Sequence, residues 1–266
     1  VSGAAPRVVR SRENPAYREL RRLLASARER REAGLLVLEG EKLVRACLDA
    51  RGALDRLVLA ESAQEAPAAR ALRSRLAPAT VLLLADRLLE TLSGLEAPDG
   101  VLAVARRPGM EAPEACDAMV LLEDLQDPGN VGSIIRSCAA AGVDAVQLSP
   151  GCADPWSPKA LRAAMGGHFA TVVVERADVA AAARAFAGQV VATVPDAPAS
   201  LFDLDLTGPT AFVIGAEGAG ISPRLQAIAS HRAHLPMAGA VESVNAAAAA
   251  AVCVFERVRQ RAARRR

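Results

Sequence analysis

Three stretches of the chain set polar side chains among glycines at the ends of apolar runs, an arrangement that lets a ligand approach the backbone at strand ends. The first is Leu122-Glu123-Asp124-Leu125-Gln126-Asp127-Pro128-Gly129-Asn130-Val131-Gly132-Ser133-Ile134-Ile135-Arg136. It reads as a buried strand, a polar loop and the start of a helix. Asn130 stands at the expected N-cap, where its side-chain oxygen accepts from backbone N–H groups two or three residues on. Arg136 lies nearly two turns further, beside Ile134, Ile135, Cys138 and Ala139. A guanidinium in such surroundings either pairs with a structural carboxylate or faces a cleft. The second stretch, Phe212 to Ser222, places Glu217 between Gly215 and the pair Gly218 and Gly220. Glu217 is a site group or an ordinary turn carboxylate. The third, Leu235 to Ala247, is a Pro- and Gly-bearing loop with Ser243 and Asn245 at the mouth of the last helix, as caps, as site groups or as both. Such a set can orient a ligand and stabilise an anion. The Gly-x-x-Gly-x-Gly order is not the dinucleotide fingerprint, and no acidic ribose-binding residue follows about 20 positions later.

A fourth segment, Asp154 to Gly167, gathers the single Trp156 with Lys159 and Arg162 around a helix start. It reads equally as a phosphate or RNA contact or as a surface loop with a packed Trp.

The elements that position these residues follow from periodicity. Asn14 to Arg31 is expected as one amphipathic helix, with Leu20, Leu23 and Leu24 on one face and Arg on the other. Strands are expected at 35–38, 56–59, 80–84 and 101–105, with helices between them, forming a small α/β domain. The Pro- and Gly-bearing stretch that follows breaks both periods. The boundaries are therefore an N-terminal domain at 1–107, a linker at 108–117 and a second domain at 118–266. In that second domain strands at 119–122, 145–148, 171–174, 190–194, 211–214 and 231–235 alternate with helices at 130–141, 158–165 and 178–187, and a long helix at 244–259 closes the chain. Such alternation implies a mostly parallel sheet covered by helices on both faces.

Composition supports a packed globular chain, with 52% hydrophobic residues and few aromatics. The net charge of +2 hides an asymmetry. Residues 1–31 hold nine Arg against three Glu, and residues 256–266 hold six Arg against one Glu. Basic ends that approach a polyanion, or merely solvated helix faces, both account for it. The five Cys show no CxxC spacing, and with no leader segment they read as reduced cytoplasmic thiols. His231 and His234 have no Cys or carboxylate cluster beside them, so no metal is expected. The longest apolar run, Ala246 to Phe255, is too short to span a bilayer.

Taken in order, the three stretches resemble the motifs of the SpoU (TrmH) group of the SPOUT methyltransferase superfamily. Asp127-Pro128-Gly129-Asn130-Val131-Gly132 with Arg136 is similar to the first motif. Gly215-Ala216-Glu217-Gly218 with Gly220 is similar to the second, and Leu235-Pro236-Met237 with Gly239, Ser243 and Asn245 to the third. Val244, Ala246 and Ala247 depart from the usual residues in volume only. Leu38-Glu39-Gly40 after an Arg-rich helix resembles the small ribosomal-protein-like RNA-binding domain carried by many members. The resemblance implies an α/β fold whose last helix closes a trefoil knot, a homodimer, and a bent S-adenosyl-L-methionine held by Gly215, Leu235 and Val244, with Thr193 near the adenine. It implies methylation of a ribose 2′-hydroxyl in structured RNA, ribosomal (23S type) before transfer RNA, with Arg136, Asn130, Glu217, Ser243 and Asn245 as the catalytic set.

That reaction needs a proton acceptor for a hydroxyl that is barely ionised, and in-line positioning of the two reactants. The motifs hold no His and no Lys, and an Arg almost never gives up its proton. Arg136 is thus expected to clamp a phosphate or to stabilise a developing alkoxide. The competing readings are another α/β nucleotide-cofactor enzyme, disfavoured by the Asp-Pro-Gly-Asn-Val-Gly turn, and a non-catalytic RNA-binding protein of the same fold, disfavoured by the presence of the whole polar set.

Overall fold

A computed structural model of the chain describes residues 8–109, 111, 113 and 115–264. Part of the expected linker (110, 112 and 114) and the terminal arginines Arg7, Arg265 and Arg266 lie outside the described residues. The chain divides into two compact units. One comprises the described residues up to Pro108 together with Trp156–Phe169, and the other the described residues of 109–155 and 170–264.

The first unit runs β1 (Val8–Val9), α1 (Pro15–Ala25), α2 (Ala27–Ala33), β2 (Leu35–Glu39), α3 (Glu41–Arg51), β3 (Arg56–Ala60), α4 (Pro67–Arg73), β4 (Val81–Leu84), α5 (Asp86–Glu90) and β5 (Val101–Arg106). Its sheet has the order β1-β4-β3-β5-β2, with β5 antiparallel to both neighbours. The helix expected over 14–31 is in fact two. Ser26 adopts an extended backbone and caps α2 by accepting from the Glu29 N–H. This Ser-x-x-Glu spacing is the signature of a helix start, which the Leu and Arg periodicity overrode. Arg30 is buried, and its guanidinium donates to the carbonyls of Leu23 (2.6 Å) and Leu24 (3.2 Å) that the break exposes. Arg18 pairs with Glu13, and Arg28 with Glu32. Arg21 and Arg22 stay exposed and make no ion pair among the described residues.

The chain continues with β6 (Ala118–Leu122), α6 (Pro128–Ala140) and β7 (Ala145–Leu148) of the second unit, then α7 (Pro158–Ala164) of the first, and then β8 (Val172–Val174), α8 (Val179–Ala185), β9 (Gln189–Thr193), β10 (Ala199–Ser200), β11 (Thr210–Ile214), α9 (Pro223–Ile228), β12 (His231–His234) and α10 (Ala246–Arg264) of the second. The strand order is β10-β12-β9-β11-β6-β7-β8, and every pair is parallel. β6 and β11 are buried along their whole length, as apolar strands covered on both faces must be.

In the fourth segment the packing alternative holds for Trp156 and Arg162. Trp156 is buried against His168, with ring centroids 4.9 Å apart, and the Arg107 guanidinium lies 5.1 Å from its ring. Arg162 pairs with the buried Glu39 carboxylate, which also accepts from the Ser93 hydroxyl and the Gly94 N–H. No described helix is long and apolar enough to cross a membrane.

The described C-terminal arginines are engaged within the chain. Arg257 and Arg261 both pair with Asp117, Arg259 with Glu256, and Arg264 donates to the Thr207 hydroxyl. Partial burial opposes ionisation of Asp117, but the hydrogen bonds and charges of Arg261 and Arg257 outweigh it and hold the carboxyl below its ordinary value of 3.8. A depressed carboxylate contributes stability above its unfolded pKa and loses it as pH falls through the folded one. Wild-type protein should therefore melt above Asp117→Asn at neutral pH, and the gap should close below pH 3.8. Thermal melts of the two across pH 7 to 2.5 check this, and a gap independent of pH would show that the pairs add nothing.

Candidate active site at the switch point of the sheet

The connections from β6 and from β11 leave in opposite directions. β6 continues to β7 on one side, and β11 continues to β12 on the other, beyond β9. In open parallel sheets a ligand site forms outside the carboxyl ends of two such strands. The register Leu122 to Ile214 places those ends side by side, and the Glu123 N–H donates to the Ile214 carbonyl at 2.9 Å.

The β6–α6 loop is shaped by Asp127, not by Asn130. Asp127 is the N-cap of α6 and accepts from the N–H groups of Gly129 and Asn130, with Pro128 in the first turn. Proline fits there because its missing N–H would have had no helical partner. The expectation that Asn130 caps this helix is therefore corrected, and the signal for Asp127 was the Asp-Pro pair itself. Relieved of capping, the Asn130 side chain reaches across the site. Its Nδ2 donates to Glu217 Oε1 at 2.7 Å, and its Oδ1 accepts from Asn245 Nδ2 at 3.0 Å. Asn245 caps α10, with its Oδ1 accepting from the N–H groups of Ala247 (2.9 Å) and Ala248 (3.3 Å). Capping and bridging by Asn245 thus coexist.

Glu217 sits at the tip of a loop that closes on itself. Ala216 and Gly220 exchange backbone hydrogen bonds of 3.2 and 2.9 Å. Gly215 is glycine for this reason. A Cβ there would stand 2.2 Å from the carbonyl carbon of Gly220 and 2.5 Å from the Ile221 nitrogen. The glycine thus serves the approach of the chain to itself.

Of the other residues singled out, Arg136 is exposed on the outer face of α6, with no hydrogen bond or ion pair to any described residue. The structural salt bridge is therefore absent among the described residues. Ser243 is likewise exposed and unbonded among them. Thr193 turns its hydroxyl onto the Val213 carbonyl at 2.9 Å. Leu235 is half-buried at the end of β12, and Val244 is exposed just before the Asn245 cap. Residues 236–244 make no hydrogen bond among the described residues. No group of His, Cys, Asp and Glu among the described residues could hold a metal ion. Asp127 and Glu123, both central to the loop geometry, carry no role in the sequence reading.

A parallel sheet whose switch point carries a Glu–Asn–Asn hydrogen-bond chain defines an α/β enzyme with a polar site. The chain belongs to the SpoU rRNA methylase family, which matches residues 117–255. The MRM3-like substrate binding domain matches residues 14–103. A 23S rRNA (uridine(2479)-2′-O)-methyltransferase of Streptomyces viridochromogenes is 30% identical over 97% of this chain and 93% of its own length. The 23S rRNA (guanosine(2553)-2′-O)-methyltransferase RlmP of Bacillus subtilis is 28% identical over 93% of this chain and 97% of its own. The solved structure of the SpoU methyltransferase AviRb from Streptomyces viridochromogenes in complex with AdoMet superimposes with a TM-score of 0.84 at 30% identity, covering 94% of this chain and 99% of that one.

Gly215→Ala should lower stability by about 1–3 kcal/mol, the range for forced overpacking, because the obstacle is backbone and cannot rotate away. Chemical denaturation measures it, and a variant as stable as wild type would show that the loop yields freely.

Proposed function

We propose that this chain transfers a methyl group from S-adenosyl-L-methionine to a ribose 2′-hydroxyl of ribosomal RNA. The observation that carries this reading is the hydrogen-bonded chain Glu217–Asn130–Asn245 at the switch point. Its partners leave one Glu217 oxygen and one N–H of each amide unengaged among the described residues. A ribose offers hydroxyls that both donate and accept, and this set answers both roles. The 2′-hydroxyl can give its hydrogen to Glu217 while an amide N–H fixes the neighbouring oxygen, which turns a lone pair toward the methyl carbon.

The residues present fit the methyl donor. The free backbone groups of 236–244 supply hydrogen-bonding positions, and the exposed side chains of Val241 and Val244 supply apolar surface. Gly215, Leu235 and Val244, with the backbone of Thr193, would hold the donor at the ends of β9, β11 and β12 and the start of α10. When bound it supplies an electrophilic methyl on a sulfonium, so the chain's own task is orientation and charge. Closure of the 236–244 loop by α10 as a trefoil knot belongs to the same reading, and would hold that loop rigid. Five free thiols suit a cytoplasmic setting.

Arg136 is a cation that makes no hydrogen bond or ion pair among the described residues. Its planar fork matches a phosphate, and we assign it to clamping the target nucleotide or stabilising the alkoxide as the proton leaves, with Ser243 as an accessory donor. The N-terminal unit would bind structured RNA, and Arg21 and Arg22, exposed and unpaired among the described residues, are its readiest phosphate contacts.

The direct test maps ribose 2′-O-methylation in RNA from cells with and without the gene. Loss of one 23S-type rRNA methyl group supports the reading, and an unchanged rRNA pattern refutes it. In vitro, Arg136→Ala should stay folded and keep donor affinity while turnover falls about 100-fold. Arg136→Lys should rescue poorly, since a point charge cannot replace a bidentate fork. Near-normal turnover of Arg136→Ala would remove Arg136 from the catalytic set.

We further infer a homodimer. Val252, Phe255 and Val258 stand exposed at helical spacing along α10, Phe255 by 46%, opposite the face carrying buried Ala250, Cys253 and Val254. A second copy is the occupant this stripe suits, since α10 lies against α6 and pairing would bring the unpaired Arg136 face of α6 near a partner. Sedimentation should report about twice 27.6 kDa, and Phe255→Glu should give a monomer. A fully active wild-type monomer at micromolar concentration would overturn the inference.

A further inference from the structure

Glu123 is the first residue beyond β6, and it grips both stems of the loop that carries Glu217. Its backbone N–H donates to the carbonyl of Ile214, where that loop begins, at 2.9 Å. Its carboxylate takes Ser222, where the loop ends, from two directions. Oε2 accepts from the Ser222 backbone N–H and Oε1 from the Ser222 hydroxyl, each at 2.7 Å. Ser222 is also the N-cap of α9 and accepts from the Leu225 N–H at 3.3 Å, so its hydroxyl is oriented from both sides. The loop between these stems is short and is closed further by the Ala216–Gly220 backbone pair. Seven residues after Glu123 in the same connection, Asn130 meets Glu217 at the tip of that loop. The β6–α6 connection therefore holds the β11–α9 connection at root and tip. The residue next to Glu123 adds to the rigidity of the root. Asp124 has φ +55°, an uncommon left-handed conformation for a side-chain-bearing residue, and both its N–H and its carboxylate bond to the Ser149 hydroxyl at the end of β7.

We propose that Glu123 is a positioning residue for methyl transfer. Through Ser222 it sets the height and tilt of the 215–221 loop, and so the placement of the Glu217 carboxylate against Asn130. This rests on the reaction proposed above. The requirement is geometric: an acceptor at the correct reach for two donors on one residue. Negative charge alone does not meet it. Glutamine keeps that reach and can accept the Ser222 N–H while its amide donates to the hydroxyl. Aspartate keeps the charge but is one methylene too short to span from the strand end.

The test compares Glu123→Ala, Glu123→Gln, Glu123→Asp and Ser222→Ala with wild type by three readouts. Hydrogen exchange reads the 215–222 amides. Titration with S-adenosylmethionine counts donor-competent molecules. Turnover on a structured rRNA fragment is then expressed per competent molecule. Glu123→Ala should speed exchange in 215–222 while leaving the β6 and β9 amides protected. Its kcat should fall about 10- to 100-fold, the scale of an ångström-sized misplacement, with little change in KM for RNA. Glu123→Gln should recover more turnover than Glu123→Asp, and Ser222→Ala added to Glu123→Ala should cause little further loss, because the two act through one contact. Unchanged exchange in 215–222, unchanged turnover per competent molecule, or better rescue by Asp than by Gln would each overturn the proposal. If Glu123→Ala does not fold, the order of Gln and Asp decides. A wild-type protein that methylates no RNA would count against the reaction assigned above, while the exchange comparison still decides whether Glu123 holds the loop.

Discussion

The pairing of β6 with β11 is the constraint on which the site depends. These two strands are far apart in sequence, yet they are neighbours in a sheet whose remaining strands leave them in opposite directions. Their shared register, Ala118 with Thr210 through to Leu122 with Ile214, fixes where the two following loops begin. A slip of one residue would reverse every side chain between the two faces of the sheet. With both strands wholly buried, such a slip would put every side chain into packing shaped for another and take the buried Thr210 hydroxyl from its partners, so register is strongly specified. The loops inherit that precision. Glu217 and Asn130 meet at 2.7 Å because their roots cannot drift.

A single consistent assignment of atoms runs along the polar chain. Asn245 Oδ1 is fixed as an acceptor by the α10 N–H groups, so its Nδ2 must face Asn130. Asn130 must then present Oδ1 to Asn245 and Nδ2 to Glu217, which can only accept when ionised. Helix capping, an ordinary structural device, thereby sets the polarity of the site from one end. Each capping decision matters to the next. Asp127 frees Asn130 by taking over the first turn of α6, whereas Asn245 performs both tasks because its amide has two ends.

Much of this was legible in the sequence, for identifiable reasons. β6 and β11 are continuous apolar runs followed by glycine or acidic residues, so their positions and the location of the polar loops could be read directly. The all-parallel character of the second sheet follows from strands alternating with helices. What sequence pattern missed was competition between local signals. Asp127 and Asn130 are both good capping residues, and only the adjacent Pro128 favoured the first. Ser26 interrupts a helix whose Leu spacing runs through it, because Arg30 supplies the carbonyl partners that the break requires. Gly215 read as room for a ligand, since the nearness of Gly220 appears only when the loop folds back. The roles of the C-terminal arginines were invisible for a related reason. Asp117 lies more than a hundred residues away in sequence, and no pattern announces a pair at that distance.

The two asparagines meet because of what lies behind them. Asn130 is in the first turn of α6 and Asn245 caps α10, and these two helices pack on one another. Close packing requires small residues, and the α10 sequence supplies Ala246 through Ala251, with Ala250 buried. Further along, Cys253 of α10 and Cys138 of α6 are fully buried, and burial pushes the Cys253 thiol up to about 12. Cys138 is raised as well, by burial first and by its neighbour Cys253 second. Both therefore remain neutral thiols and behave as small apolar side chains at the helix contact. A bulky or charged residue at this contact would separate the helices, and the first polar contact to open would be the one between Asn245 and Asn130 at their shared end. The apolar seam between α6 and α10 and the polar chain at its mouth are thus one mechanical unit. The packing of alanines and thiols holds an amide pair at 3.0 Å, and that pair in turn holds the Asn130 amide against the Glu217 carboxylate.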